Sequence, residues 1–254
     1  MTPFLEVRNV SKSFGGIAAL KGISFELAAG EAVALMGGNG AGKSTLVSLL
    51  SGLLRPDIGS ICIEGADRVL SDPQQSREAG IETVFQNLAL CPNLNAPGNL
   101  FLGRELYRGF GPFKILDRKA MEKVTVATLQ DLGVNVPDMR APTNRFSGGQ
   151  RQALAFARAV RGKSKLLILD EPTAALGVEE SANVVKTVQR LRKERNIAVL
   201  LITHNLEEMR SIADKAVVLR RGHHVGSVLL KETSDDEIVA RITGSFGAKA
   251  GVAA

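Results

Sequence analysis

Five short apolar runs constrain the fold of this chain most: "AVALMG" at 32–37, "IETVFQ" at 81–86, "KLLILD" at 165–170, "AVLLITH" at 198–204 and "KAVVLR" at 215–220. They read as strands buried on both faces, and helical stretches lie between most of them. Strands of this kind alternating with helices predict a largely parallel α/β sheet, with ligands bound at the carboxyl ends of its strands.

The rest of the chain reads as additions to that sheet. "LEVRNVSKSF", "LKGISFEL" and "GSICIEG" are alternating or β-branched segments within the first 65 residues, predicting an N-terminal antiparallel β subdomain. Residues 88–160 differ in character: a stretch rich in Pro, Gly and Asn, then the helix-like "RKAMEKVTVATLQDLG", then "RFSGGQRQ". They are expected to form a mostly helical subdomain inserted in a single domain of residues 1–240, with a flexible tail at 241–254. No apolar run approaches the roughly 18 residues of a membrane span, and the N-terminus has no signal-peptide pattern. The chain is therefore expected to stay in the cytoplasm. Cys62 and Cys91 lack CxxC spacing and neighbouring histidines, so they read as buried thiols. The formal charge of +6 does not point to nucleic acid. Its densest basic run, "QRLRKER", belongs to a stretch with Val184, Val185, Val188 and Leu191 at helical spacing and reads as a solvated helix face, without the aromatics that base stacking needs.

Chemistry concentrates at the strand ends. "GGNGAGKST" fits G-x-x-x-x-G-K-[ST]: Gly37, Gly38, Asn39, Gly40, Ala41 and Gly42 form a loop whose backbone N–H groups wrap phosphates, and Lys43, Ser44 and Thr45 open a helix. Lys43 is expected to reach the β- and γ-phosphates and Ser44 to ligate magnesium. Asp170 ends "KLLILD" and is expected to hold magnesium, while Glu171, the next residue, can polarise water as general base. His204 and Gln86 end two further runs. They suit contacts to the γ-phosphate and to magnesium or water respectively. In "SGGQ", Ser147 and Gln150 have capping-box spacing, and Gly148 and Gly149 leave bare N–H groups at a helix start. That start can serve a phosphate held by a second copy turned head to tail. His223 and His224 read as an exposed turn.

These residues resemble the nucleotide-binding subunit of ATP-binding-cassette (ABC) transporters, from about residue 4 to about 230. Phe14, the Gly37–Ser44 loop, Gln86, "SGGQ", "LLILDEPT" and His204 occur in that family's order. The resemblance implies a nucleotide-binding ATPase with Mg2+, in which Phe14 stacks on adenine. Ser147, Gly148, Gly149 and Gln150 would contact the ATP of a partner subunit, in a homodimer or paired cassette on the inner face of the membrane. Integral permease subunits would be direct partners and a periplasmic or extracellular solute-binding protein an indirect one. "NLFLGRE" and "DEPTAALGVEES" are similar to the simple-sugar import branch; this chain has one cassette, like its short type. An importer for amino acids or another solute, and a non-transport ATPase acting on nucleic acid, are the alternatives. Phe146 replaces the usual leucine before the signature and Gly177 the usual aspartate, while Pro97-Gly98 falls where a helix normally starts in the membrane-subunit contact region.

Overall fold

The structure is a computed structural model that describes residues 3–245 apart from residues 135, 137, 162, 163 and 175. It divides into two compact units, Met1–Thr83 with Ser164–Glu171 and Val188–Ala254, and Val84–Lys163 with Pro172–Thr187.

The first unit opens with β1 (Leu5–Phe14), β2 (Ile17–Leu27), β3 (Ala32–Met36), α1 (Lys43–Leu50), β4 (Ile58–Ile63), β5 (Ala66–Arg68), α2 (Pro73–Glu78) and β6 (Ile81–Val84). The second unit holds α3 (Ala96–Phe101), a hairpin of β7 (Tyr107–Arg108) and β8 (Ile115–Leu116), α4 (Arg118–Asp131) and α5 (Gly148–Val160). The chain then forms β9 (Leu166–Asp170), α6 (Val178–Arg195), β10 (Ala198–Ile202), α7 (Leu206–Ile212), β11 (Lys215–Arg220), β12 (His223–Leu229) and α8 (Asp235–Thr243). Helix α6 contributes residues to both units.

Four strands in the order β2-β1-β4-β5 make an antiparallel sheet, and six in the order β12-β11-β3-β10-β9-β6 make the main sheet. In the main sheet β11, β3, β10 and β9 are mutually parallel, and β12 pairs antiparallel with β11. Every residue of β3 and β10 is buried, as are Leu166–Leu169 of β9. Each such Leu, Ile or Val contributes about 1.5–3 kcal/mol, which holds this row of strands in the core. Ile202 stands opposite Leu35 on one side and Asp170 on the other, so the three following loops leave one edge together.

Several elements depart from the sequence reading. The run at 81–86 ends as a strand at Val84, leaving Gln86 in an exposed turn. His223 and His224 begin β12 rather than a turn, and the half-buried His224 Nε2 lies 3.0 Å from Ser227 Oγ. Helix α3 does start here, at Ala96 with Pro97-Gly98 inside its first turn: Asn95 caps it by accepting from Gly98 N at 2.9 Å, and proline in the first turn surrenders only an N–H the helix does not use. Residues 241–243 of the expected tail complete α8; the tail beyond 245 lies outside the described residues. Cys62 is buried, but Cys91 is partly exposed, and both are free. In the basic run, Arg192 is not solvated: its guanidinium donates to the carbonyls of Gly30 and Ile212 and pairs with Asp214.

Candidate active site

The glycine loop is shaped by what surrounds it. At Gly42 (φ 105°) a Cβ would meet Leu20 Cδ2 at 2.6 Å and the Ala19 carbonyl at 2.7 Å; at Gly37 it would run into the Leu219 carbonyl. Ala41 N donates to Gly38 O at 3.2 Å, and Gly222 N to Ala41 O at 3.1 Å, fastening the loop to itself and to the β11–β12 turn. Helix α1 starts at Lys43 with no side-chain cap and no acidic residue in its first turn. Its first N–H groups and positive dipole end are thereby left for an anion. Lys43 Nζ donates to Gly37 O at 2.7 Å and Gly38 O at 3.0 Å, holding an ammonium inside the loop. Asn39 and Gly40 form the exposed loop tip; Ser44 is exposed and Thr45 half-buried in the first turn of α1.

Asp170 and Glu171 leave the end of β9 beside this loop. Burial pushes the Asp170 carboxyl above the ordinary aspartate range, the charge of Glu171 adds to that, and Lys43 opposes it. Burial likewise lowers the Lys43 ammonium, with Glu171 and then Asp170 opposing. The three charges thus form one electrostatic group. Glu171 adopts a left-handed backbone (φ 49°), held by its N–H donating to Ile202 O at 2.8 Å. His204 sits between two short turns: Asn205 N donates to Thr203 Oγ1 at 3.0 Å, and the Asn205 side chain caps α7. The imidazole is 76% exposed, with Nδ1 3.3 Å from Glu171 Oε1. A carboxylate only accepts, so this contact is a hydrogen bond when Nδ1 carries the proton.

Phe14 ends β1 at the hairpin tip, exposed, with the Lys12 ammonium 5.9 Å from its ring centroid. Lys12 Nζ and Ser13 N both donate to Asp57, at 2.6 and 2.7 Å, which anchors the strand beneath the ring.

Gln86 and Ser147–Gln150 belong to the second unit. Ser147 caps α5 reciprocally: Gln150 N donates to Ser147 Oγ at 3.2 Å and Ser147 N to Gln150 Oε1 at 3.0 Å. Gly148 and Gly149 form the first turn. A Cβ on Gly149 would lie 2.9 Å from Glu180 Cγ, and one on Gly177 2.5 Å from Glu180 Oε2, so both glycines face a carboxylate. Phe146, in place of the usual leucine, is buried, and its carbonyl accepts from Arg151 Nη1 at 2.6 Å.

Two organising residues escaped the sequence reading. Asn99 is fully buried, accepts from Cys91 N and donates to the carbonyls of Cys91 and Leu94. Arg158 donates to Leu88 O and Ala89 O, bracing the turn that carries Gln86. A polar residue inside the apolar stretch "NLFL" was the available signal for Asn99.

The family model described as "ABC transporter" matches residues 20–174 of this sequence. The chain belongs to the ABC transporter family. As a cassette of that family it is an ATP-binding ATPase. It is 42% identical over 243 residues to the xylose/arabinose import ATP-binding protein of Sulfolobus acidocaldarius, covering 96% of this chain and 95% of that protein. It is 41% identical over 247 residues to the fructose import ATP-binding protein of Rhizobium meliloti, covering 96% and 95%. Its fold matches a dimeric, post-hydrolysis structure of the ATP-binding cassette MJ0796 bound to ADP and phosphate, with a TM-score of 0.76 and 26% identity over 89% of this chain and 98% of that one. Among the described residues of this cassette, no helix is long and apolar enough to cross a membrane.

Proposed function

We propose that this cassette hydrolyses ATP to drive import of a small solute, a simple sugar, through partner membrane subunits. Lys43, Asp170, Glu171 and His204, converging at one sheet edge, carry the chemical part of this reading. Similarity along nearly the whole chain to two sugar-import ATP-binding proteins supports the solute class.

In the mechanism, the Gly37–Thr45 loop and the α1 N-terminus bind the phosphates, Lys43 exchanges its loop carbonyls for phosphate oxygens, and Phe14 stacks on adenine. Glu171 takes the proton of the attacking water, and His204 holds the Glu171 carboxylate through Nδ1–H while its exposed ring reaches the γ-phosphate. The glycine cradle and the hard oxygen donors Ser44 and Asp170 fit a magnesium nucleotide. A carboxylate, a hydroxyl and substrate phosphates are the usual ligand set of that ion. Magnesium, when bound, neutralises charge on the phosphates. Motif position supports Gln86 as a contact to magnesium or water, and Ser147–Gln150 as donors to ATP on a second copy. The working unit is then a pair of cassettes on the inner face of the membrane, bound to permease subunits and served by an external solute-binding protein.

Glu171→Gln tests the base directly. Turnover should fall by about 10²–10⁴-fold with ATP binding kept. Hydrolysis at the parent rate would remove Glu171 from that role.

A further inference from the structure

We infer that the tip of the β7–β8 hairpin is a membrane-surface contact that takes anionic lipid headgroups and the upper part of their chains. Phe110 is 93% exposed and Phe113 82%, with Tyr107 and Ile115 exposed beside them. Exposed apolar residues scattered singly need no explanation, but four within nine residues form a patch. Apart from Phe14, these three aromatics are the exposed ones among the described residues.

The tip is a built feature. Tyr107 pairs with Leu116 and Arg108 with Ile115, Phe113 N donates to Phe110 O at 3.2 Å, and Asp117 N to Leu106 O at 2.7 Å. Gly109, at φ 100°, faces the Phe113 carbonyl so closely that a Cβ has no room. This backbone presents the rings outward instead of folding them in.

Charge selects the occupant. Arg108, Lys114, Arg118 and Lys119 are all exposed and have no carboxylate partner among the described residues. Two of the acids nearby are engaged by backbone: Glu105 accepts from Gly103 N at 3.0 Å, and Asp117 caps α4 by accepting from Ala120 N at 3.0 Å; Glu122 lines a groove on α4 together with Arg118 and Lys119. Protein interfaces deplete lysine around their apolar centres. Aromatic side chains with Arg108 and Lys114 on the same hairpin, and Arg118 and Lys119 in the helix turn that follows it, suit the headgroup layer of an anionic bilayer, where rings settle at the interface and each cation adds attraction.

The chain contains no tryptophan, so Phe110→Trp in the full-length protein creates a single reporter. It is mixed, without nucleotide, with vesicles of phosphatidylglycerol or of phosphatidylcholine. We expect a blue-shifted emission and quenching by bromine-labelled chains with phosphatidylglycerol. Partitioning should be at least about 10-fold weaker with phosphatidylcholine and be lost near about 0.5 M salt. Adding Arg108→Glu and Lys114→Glu should weaken partitioning by about 10-fold or more while leaving ATP hydrolysis unchanged. Emission unchanged by anionic vesicles overturns the inference, as does shielding that arises only when a membrane protein is added, which would assign the tip to a protein partner. The vesicles hold no membrane subunit and the assay no nucleotide, so failure here leaves the transport reading intact.

Discussion

At the scale of single residues, the centre of the site is held in states that a folded chain does not otherwise prefer. A glutamate with a left-handed backbone stores about 1–3 kcal/mol of strain, and Glu171 does so one residue after a carboxylate that burial disfavours as an anion. The sign of the Asp170 effect follows from its raised value. Its contribution to stability is present below the ordinary aspartate range and is lost as pH rises through the raised value, so at neutral pH the ionised group destabilises the protein. Asp170→Asn should therefore raise the Tm of the nucleotide-free protein at neutral pH, with the difference vanishing below about pH 4, where aspartate is itself protonated. Magnesium-dependent hydrolysis should fall in the same variant. Equal Tm values at neutral pH would show that Lys43 compensates the charge fully. The identities of Lys43, Asp170 and Glu171 were readable because a loop pattern and a strand end fix them locally. The backbone of Glu171 was not, since its strain depends on the Ile202 carbonyl thirty residues later in the chain, roughly, on another strand.

At the scale of elements, short-range spacing translated directly into structure. Ser147 and Gln150 were three apart in the sequence and are a closed capping box in the fold, and the buried run at 32–36 is a strand buried at every position. Ser147→Ala should destabilise α5 by about 0.5–2 kcal/mol in denaturant unfolding, and Ser147→Asp should recover most of it. A loss confined to activity would mean that α5 starts as well without its cap. Elements set by longer-range partners were harder to read. The run at 81–86 reads as one strand in the sequence, yet strand pairing stops at Val84 and the chain turns through left-handed Leu88 and Ala89, a turn braced by Arg158 from α5. The β7–β8 hairpin was hidden inside a Gly- and Pro-rich stretch because each strand is only two residues long and too short for an alternating pattern.

At the scale of the molecule, each half of the sequence reading has a physical home. The antiparallel sheet and the parallel core share the first unit with the glycine loop, Phe14, Asp170, Glu171 and His204; the capped helix start belongs to the second unit. Buried strands are legible because both faces must be apolar, whereas assembly is not written into any one chain's periodicity. The central claim is that a second copy completes each nucleotide site. The most direct measurement is the mass of the Glu171→Gln protein by light scattering in saturating ATP. A shared site requires doubling to two copies, reversed by adding Ser147→Arg while monomer ATP affinity, from titration calorimetry, stays within about threefold. A protein that remains single in ATP, or doubles as readily with arginine at position 147, would contradict it.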